Sequence, residues 1–124
     1  MVDAKLSNVV TLGGDVHMNV AAQLRLQPND AASPIVASEI VTTSITSRGM
    51  SEKMLSIVRD HNPDIAYARS DERGYTLIDV TPERLRCDFR TTAFPAGSVP
   101  GFKTQASFVV QRGVAGIEPM ASPT

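Results

Sequence analysis

Close to the start of the chain, Asn8-Val9-Val10-Thr11-Leu12 forms a short β-branched and aliphatic run that stops at Gly13-Gly14. A run without polar alternation predicts a strand buried on both faces and paired on both edges. Such a strand so near the N-terminus constrains the fold, because neighbours on both sides and layers above and below must be supplied. The 124 residues have to provide them. Any that they do not provide leave open strand edges and apolar surface, and with these a route to self-association.

Further along, residues 18–26 fit strand or helix by periodicity, and the set Val20, Ala21, Ala22 and Leu24 is read as a strand ended by Pro28-Asn29-Asp30. Residues 35–46 are rich in Val, Ile and Thr, the composition of one long strand or two broken ones, with Glu39 as an interruption. From Ser51, apolar Met54, Leu55, Ile57 and Val58 recur at helical spacing until Asn62-Pro63, predicting a short helix over 51–61 capped by Ser51. A polar linker over 69–72 leads to two runs, 75–80 and 84–91, that predict a hairpin turning at Thr81-Pro82-Glu83. In its second strand Leu85, Cys87 and Phe89 alternate with Arg84, Arg86, Asp88 and Arg90, so one face is wet. A Pro/Gly loop over 95–101 and a last strand over 105–111 follow. The reading is one strand-rich α/β unit over 1–112 and a flexible Gly/Pro/Ala/Ser tail over 113–124 that frays.

Composition removes several classes of function. Lys and Arg number 12 against 13 Asp and Glu, so no basic excess draws the chain to phosphate backbones or anionic lipid, and no specific nucleic acid is expected as partner. No apolar stretch approaches the ~20 residues of a membrane helix. The single Cys87 can form neither an internal disulfide nor a cysteine zinc site, and reads as a small hydrophobe. Asp3 stands where a signal peptide would be basic, and no signal peptide is read in this chain. Localisation stays open. His61, at the end of the helical run, reads as a partner of the helix dipole. Ser44 and Ser47 have no neighbouring base to activate them and read as local hydrogen-bonding residues.

The sharpest chemical feature is Gly13-Gly14-Asp15-Val16-His17, directly after the first strand. On an extended backbone, residues i and i+2 point to one side, so the Asp15 carboxylate and the His17 imidazole would converge. An oxygen donor and a nitrogen donor on one strand-end loop suit a divalent or trivalent metal. The same residues also fit a Gly-Gly turn with Asp15 as a turn residue and His17 half-buried in a strand.

Set beside the other segments, this motif carries a resemblance. Asn8-Val9-Val10-Thr11-Leu12-Gly13-Gly14-Asp15-Val16-His17, then Glu39 with Thr43-Ser44-Ile45-Thr46-Ser47, then Asn62-Pro63, then Arg73-Gly74-Tyr75-Thr76-Leu77-Ile78-Asp79-Val80-Thr81-Pro82-Glu83-Arg84, and finally Ala106-Ser107-Phe108-Val109-Val110 occur in order. Together they resemble the C-terminal part of PhoD-type alkaline phosphatases, within the calcineurin-like metallophosphatase superfamily. The resemblance implies the C-terminal part of a two-sheet sandwich flanked by helices, with the site at the strand ends. It implies metal-assisted hydrolysis of phosphate mono- or diesters, with His17 as a ligand of an iron site and Asp15 as a ligand of a calcium site. The family's other ligands belong to earlier motifs that this chain does not contain, so the chain alone is expected not to turn over substrate. It also departs from the family pattern at Val20, often Trp, and at Gln23, often an acid. Parent enzymes of this type are commonly periplasmic or secreted. The rival reading is a small β-rich binding module that meets an anionic partner through the Arg84, Arg86 and Arg90 face.

Overall fold

The computed structural model describes residues 3–94 and 101–121; most of the Pro/Gly loop expected over 95–101 lies outside them. The chain builds β1 (Val9–Gly13), β2 (Asn19–Arg25), β3 (Ile35–Val41), α1 (Glu52–His61), β4 (Ile65–Arg69), β5 (Glu72–Val80), β6 (Arg84–Ala93), β7 (Lys103–Gln111) and β8 (Glu118–Met120). These form two four-stranded sheets, ordered β1-β3-β2-β4 and β5-β6-β7-β8.

The α1 prediction is met at both ends. Ser51 adopts an extended conformation and its side chain accepts the Met54 N–H, while Asn62 caps the other end and Pro63 prevents continuation. The buried Leu55 carries the helix onto one face of the first sheet, against Met18, Val20, Ala22, Val41 and Ala68. The opposite face of that sheet offers Ala21 and Ile40 to Cys87, Phe89, Phe108 and Val110 of the second sheet. Tyr67 stacks on Phe89 with ring centroids 5.8 Å apart, and Phe108 meets Phe89 edge-on at 5.9 Å. The molecule is thus helix, sheet and sheet in three layers around two apolar interfaces.

The predicted hairpin is present, with Tyr75 opposite Arg90 and Val80 opposite Leu85. Its turn is closed by Thr81, whose backbone N–H donates to the Arg84 carbonyl and whose hydroxyl accepts the Glu83 and Arg84 N–H groups. Gly74 is required inside β5, because a Cβ there would sit 1.9 Å from the Arg90 carbonyl oxygen of β6.

Four expectations are corrected. β1 is an edge strand rather than an internal one: among the described residues it pairs only with β3, in parallel, and Thr11, Leu12 and Gly13 are exposed. The second sheet covers Val10 and leaves Leu12 63% exposed, so the apolar run is buried at one end only. β3 stops at Val41 instead of running towards 46, because beyond it the Thr43 N–H turns to the Asn19 side chain. The linker over 69–72 is the junction of two strands, and β4 pairs with β2 through the short residues Ala68 and Ala21. The tail is docked where it is described: the Asn8 amide bonds the Gln111 carbonyl and the Gly113 N–H, Ile117 is buried, and β8 pairs with β7.

One connection sets up the site. β1 and β2 are consecutive in the chain, yet β3 lies between them. Residues 14–18 therefore bridge two strand spacings, about 10 Å, across the carboxyl end of β3. Gly13 faces Val41 and Val41 faces Val20, so the bridge passes directly over the point where the chain leaves β3.

Candidate functional site

The bridge carries Asp15 and His17, and neither is extended. Asp15 has φ 77° and His17 φ 59°, both in the left-handed region. The alternation argument for their convergence therefore does not hold, although both residues do lie on one short loop at the carboxyl ends of a parallel strand pair. Left-handed Asp and His are tolerated better than most side chains, and such conformations persist where surrounding contacts over-determine them. Here those contacts come from far along the chain.

His17 is half-buried and its Nδ1 lies 2.7 Å from the Arg48 carbonyl oxygen. A carbonyl can only accept, so Nδ1 carries the proton, and in its neutral form the ring presents the Nε2 lone pair. That is the arrangement in which a histidine is oriented for metal coordination. The main-chain carbonyl of His17 accepts a hydrogen bond from Arg73 at 3.0 Å. Gly49 completes the packing, since a Cβ there would come within 2.3 Å of the same carbonyl oxygen. Asp15 is exposed, and its carboxylate has no hydrogen bond or ion pair among the described residues. One carboxylate and one imidazole nitrogen fit part of a hard or borderline cation's shell. Among the described residues, no group of three or more His, Cys, Asp or Glu gathers to hold an ion, and Glu39 sits in mid-β3 opposite Thr11 and Ala22.

Beneath the loop the two sheets are joined by polar groups. Thr43 N–H donates to Asn19 Oδ1, Asn19 and the Tyr67 hydroxyl donate to Gln105 Oε1, and Gln105 and Thr91 donate to Glu72 Oε1. Burial of Glu72 works to raise its pKa, but the bonds from Gln105, Lys103 and Thr91 and the Lys103 charge outweigh it and hold it below the ordinary value. At the opposite end of the first sheet, a groove of about 300 Å³ lies between Val9, Ile35 and Gly116, with Lys5 the sole charged residue of its lining. Asp15 and His17 lie at the other end.

The remaining candidates take structural roles. Cys87 is fully buried, and burial, with the Asp88 charge, pushes its thiol up to about 12, so it stays protonated and inert. His61 Nδ1 meets the Ile57 carbonyl at the end of α1. Ser44 donates to the Ser47 carbonyl. The arginine face is occupied by its own neighbours: Arg86 pairs with Asp88 at 3.0 Å and Arg90 donates to Thr104. Only Arg84 of the three lacks a side-chain partner among the described residues, which disfavours the anionic-partner reading. Val20 belongs to the helix-facing core and Gln23 packs beside Gly116 further along β2. Sequence reasoning missed Arg48, Gly49 and Arg73, whose contributions are two backbone contacts and a distant side chain; Arg73-Gly74 was visible only as part of a motif.

The fold is a two-sheet β-sandwich with a helix on one sheet, and Asp15 and His17 stand on a loop over the carboxyl ends of a parallel strand pair. A family model described as PhoD-like phosphatase matches residues 1–89, and the chain belongs to that family of metal-dependent phosphatases. It is 36% identical over 122 residues to alkaline phosphatase D of Bacillus subtilis (strain 168), covering 96% of this chain and 21% of that protein. A solved structure described as Structure of PhoD matches with a TM-score of 0.80 and 29% identity, over 99% of this chain and 24% of the other. The chain therefore spans about a fifth of the length of the curated relative.

Proposed function

We propose that this chain is a C-terminal segment of a metal-dependent phosphoric ester hydrolase, in which His17 and Asp15 each give one donor to a dinuclear centre acting on phosphate mono- or diesters. The observation that supports it most is the His17 tautomer, with Nδ1–H given to the Arg48 carbonyl and Nε2 left as a donor. His17 would serve an iron site through that nitrogen. Asp15 would serve a calcium site through hard carboxylate oxygen, and its exposure gives both oxygens access to an ion. Metal ions held there supply a water of lowered pKa and neutralise charge on the phosphoryl group. The chain's own part is to fix the imidazole, keep Asp15 uncommitted and hold both on a rigid sheet end. Two donors cannot complete two metal shells, so the other ligands have to come from outside these residues.

The test loads the purified chain with iron and calcium and measures ion binding, together with turnover of p-nitrophenyl phosphate and bis-p-nitrophenyl phosphate at alkaline pH. Weak binding that is lost in an Asp15→Ala/His17→Ala double variant, without enzyme-like turnover, is expected. Unchanged binding in the double variant would remove the ligand assignment. Fast turnover by the chain alone would mean that the missing ligands lie within it or on a second copy.

A further inference from the structure

Arg73 is 2% exposed, and among the described residues no carboxylate hydrogen-bonds to it. Its guanidinium serves neutral acceptors instead. Nη1 approaches the His17 carbonyl at 3.0 Å, Thr43 Oγ1 at 3.0 Å and Ser44 Oγ at 2.9 Å, so its two hydrogens are shared among three acceptors. Nη2 donates to the Ser70 carbonyl, and the guanidinium carbon stands 5.3 Å from the centroid of the Phe94 ring. Nε is buried with no partner among the described residues. A buried cation whose hydrogen bonds run to neutral acceptors is costly, and its donors here tie together separate segments of the chain. The groups joined here are the loop 14–18, the exit from β3 and the junction of β4 with β5; the last two are also linked by the Gly74 N–H to the Ser44 carbonyl and the Thr43 hydroxyl to the Glu72 carbonyl, and Arg73 adds the His17 carbonyl to them. Gly49 keeps the space open, for a Cβ there would also approach Arg73 Nη2 to 3.0 Å.

We propose that Arg73 is a positioning residue for His17: it fixes the residue's main-chain carbonyl while the Arg48 carbonyl takes the ring Nδ1–H, so that His17 is held at both ends and Nε2 keeps one direction. Arg suits the task better than Lys because its planar fork reaches the Nη1 cluster and the Ser70 carbonyl at once. The use of this clamp rests on His17 being a metal donor; its existence does not.

The test uses the whole 124-residue chain, labelled with 15N, at a pH where imidazole is neutral. Long-range 1H–15N spectra report the tautomers of His17 and His61, and zinc, a diamagnetic ion that takes nitrogen and oxygen donors, serves as the probe. In the wild type both histidines are expected as Nδ1–H. In Arg73→Lys, and independently in Gly49→Ala, His17 is expected to shift towards the Nε2–H form and zinc affinity to fall about tenfold, while His61 on the remote helix end stays unchanged. A purely structural loosening would move both histidines or neither. Wild-type tautomer and affinity in a folded variant would overturn the proposal. Should neither variant fold, the wild type still decides: zinc is expected to shift the Arg73 side-chain N–H signals along with those of His17, and unmoved Arg73 signals beside a shifted His17 would overturn it. If zinc leaves wild-type His17 unmoved, the metal reading falls, and the metal-free tautomers in the variants decide the clamp on their own.

Discussion

The hairpin of β5 and β6 and the loop over 14–18 both reverse the chain between strands, and they are held in opposite ways. The hairpin is closed by a continuous ladder from Glu72 opposite Ala93 to Val80 opposite Leu85, with the Thr81 hydroxyl finishing the turn. Its ladder is its own, and β7 alongside adds a second. The loop joins two strands that do not touch, and its shape is dictated by Arg48, 31 residues from His17, and by Arg73, 56 residues from it. A turn that stabilises itself has little freedom to serve another purpose. A turn stabilised from elsewhere can expose its side chains, as Asp15 is exposed.

Truncation should separate the two regions most strongly. Phe89, fully buried between the sheets and in ring contact with Tyr67 and Phe108, is expected to cost about 3–5 kcal/mol when changed to Ala, read as a lowered urea midpoint. A loss under about 1 kcal/mol would mean that the second sheet is not the anchor described here. An intermediate effect is expected from acid, acting where the regions meet. The Glu72 carboxyl is depressed below its ordinary value of 4.5, so its contribution is complete above that pH and falls away as the pH drops through 4.5 and then through the folded value. Thermal midpoints measured across that window should decline, and Glu72→Gln should flatten the decline; an unaltered profile in the variant would assign the acid loss to other groups. The smallest effect on stability belongs to Asp15→Asn, which keeps the tolerance for positive φ and removes only an exposed charge with no partner among the described residues. Its urea midpoint should match the wild type while ion binding falls, and a marked destabilisation would make Asp15 a structural turn residue.

Legibility followed the same divide. Ser51 and Pro63 marked α1 because caps act within a turn, and the Leu85, Cys87, Phe89 alternation marked β6 because a pleat repeats every second residue. Asp15 and His17 stood out by residue type after two glycines, and the carry-over of five ordered motifs identified the family. Their geometry was not legible: φ values of 77° and 59° are not marked by residue type, and the contacts that hold His17 come from Arg48, Gly49 and Arg73, a separation that no local pattern reports. β1 was read as internal from its apolar letters, yet pairing depends on which strand arrives beside it. β4 escaped notice because Ala66 and Ala68 carry little strand signal, and β8 because a proline lies in its middle, at Pro119, a residue tolerated on an edge strand.

The position of β3 between two strands that precede it bears on the order of folding. β5, β6 and β7 pair with sequence neighbours and can zip together through local contacts. β1 and β2 have no such option, because each must wait for a later strand to fill the gap, and β2 on its other edge for β4 beyond the helix. Loop closure therefore comes before any reward on this side of the molecule. The stretch bearing Asp15 and His17 is expected to remain conformationally open longest, taking its final shape only when β3 has slid into place and Arg73, emerging with the other sheet, has reached back to hold it.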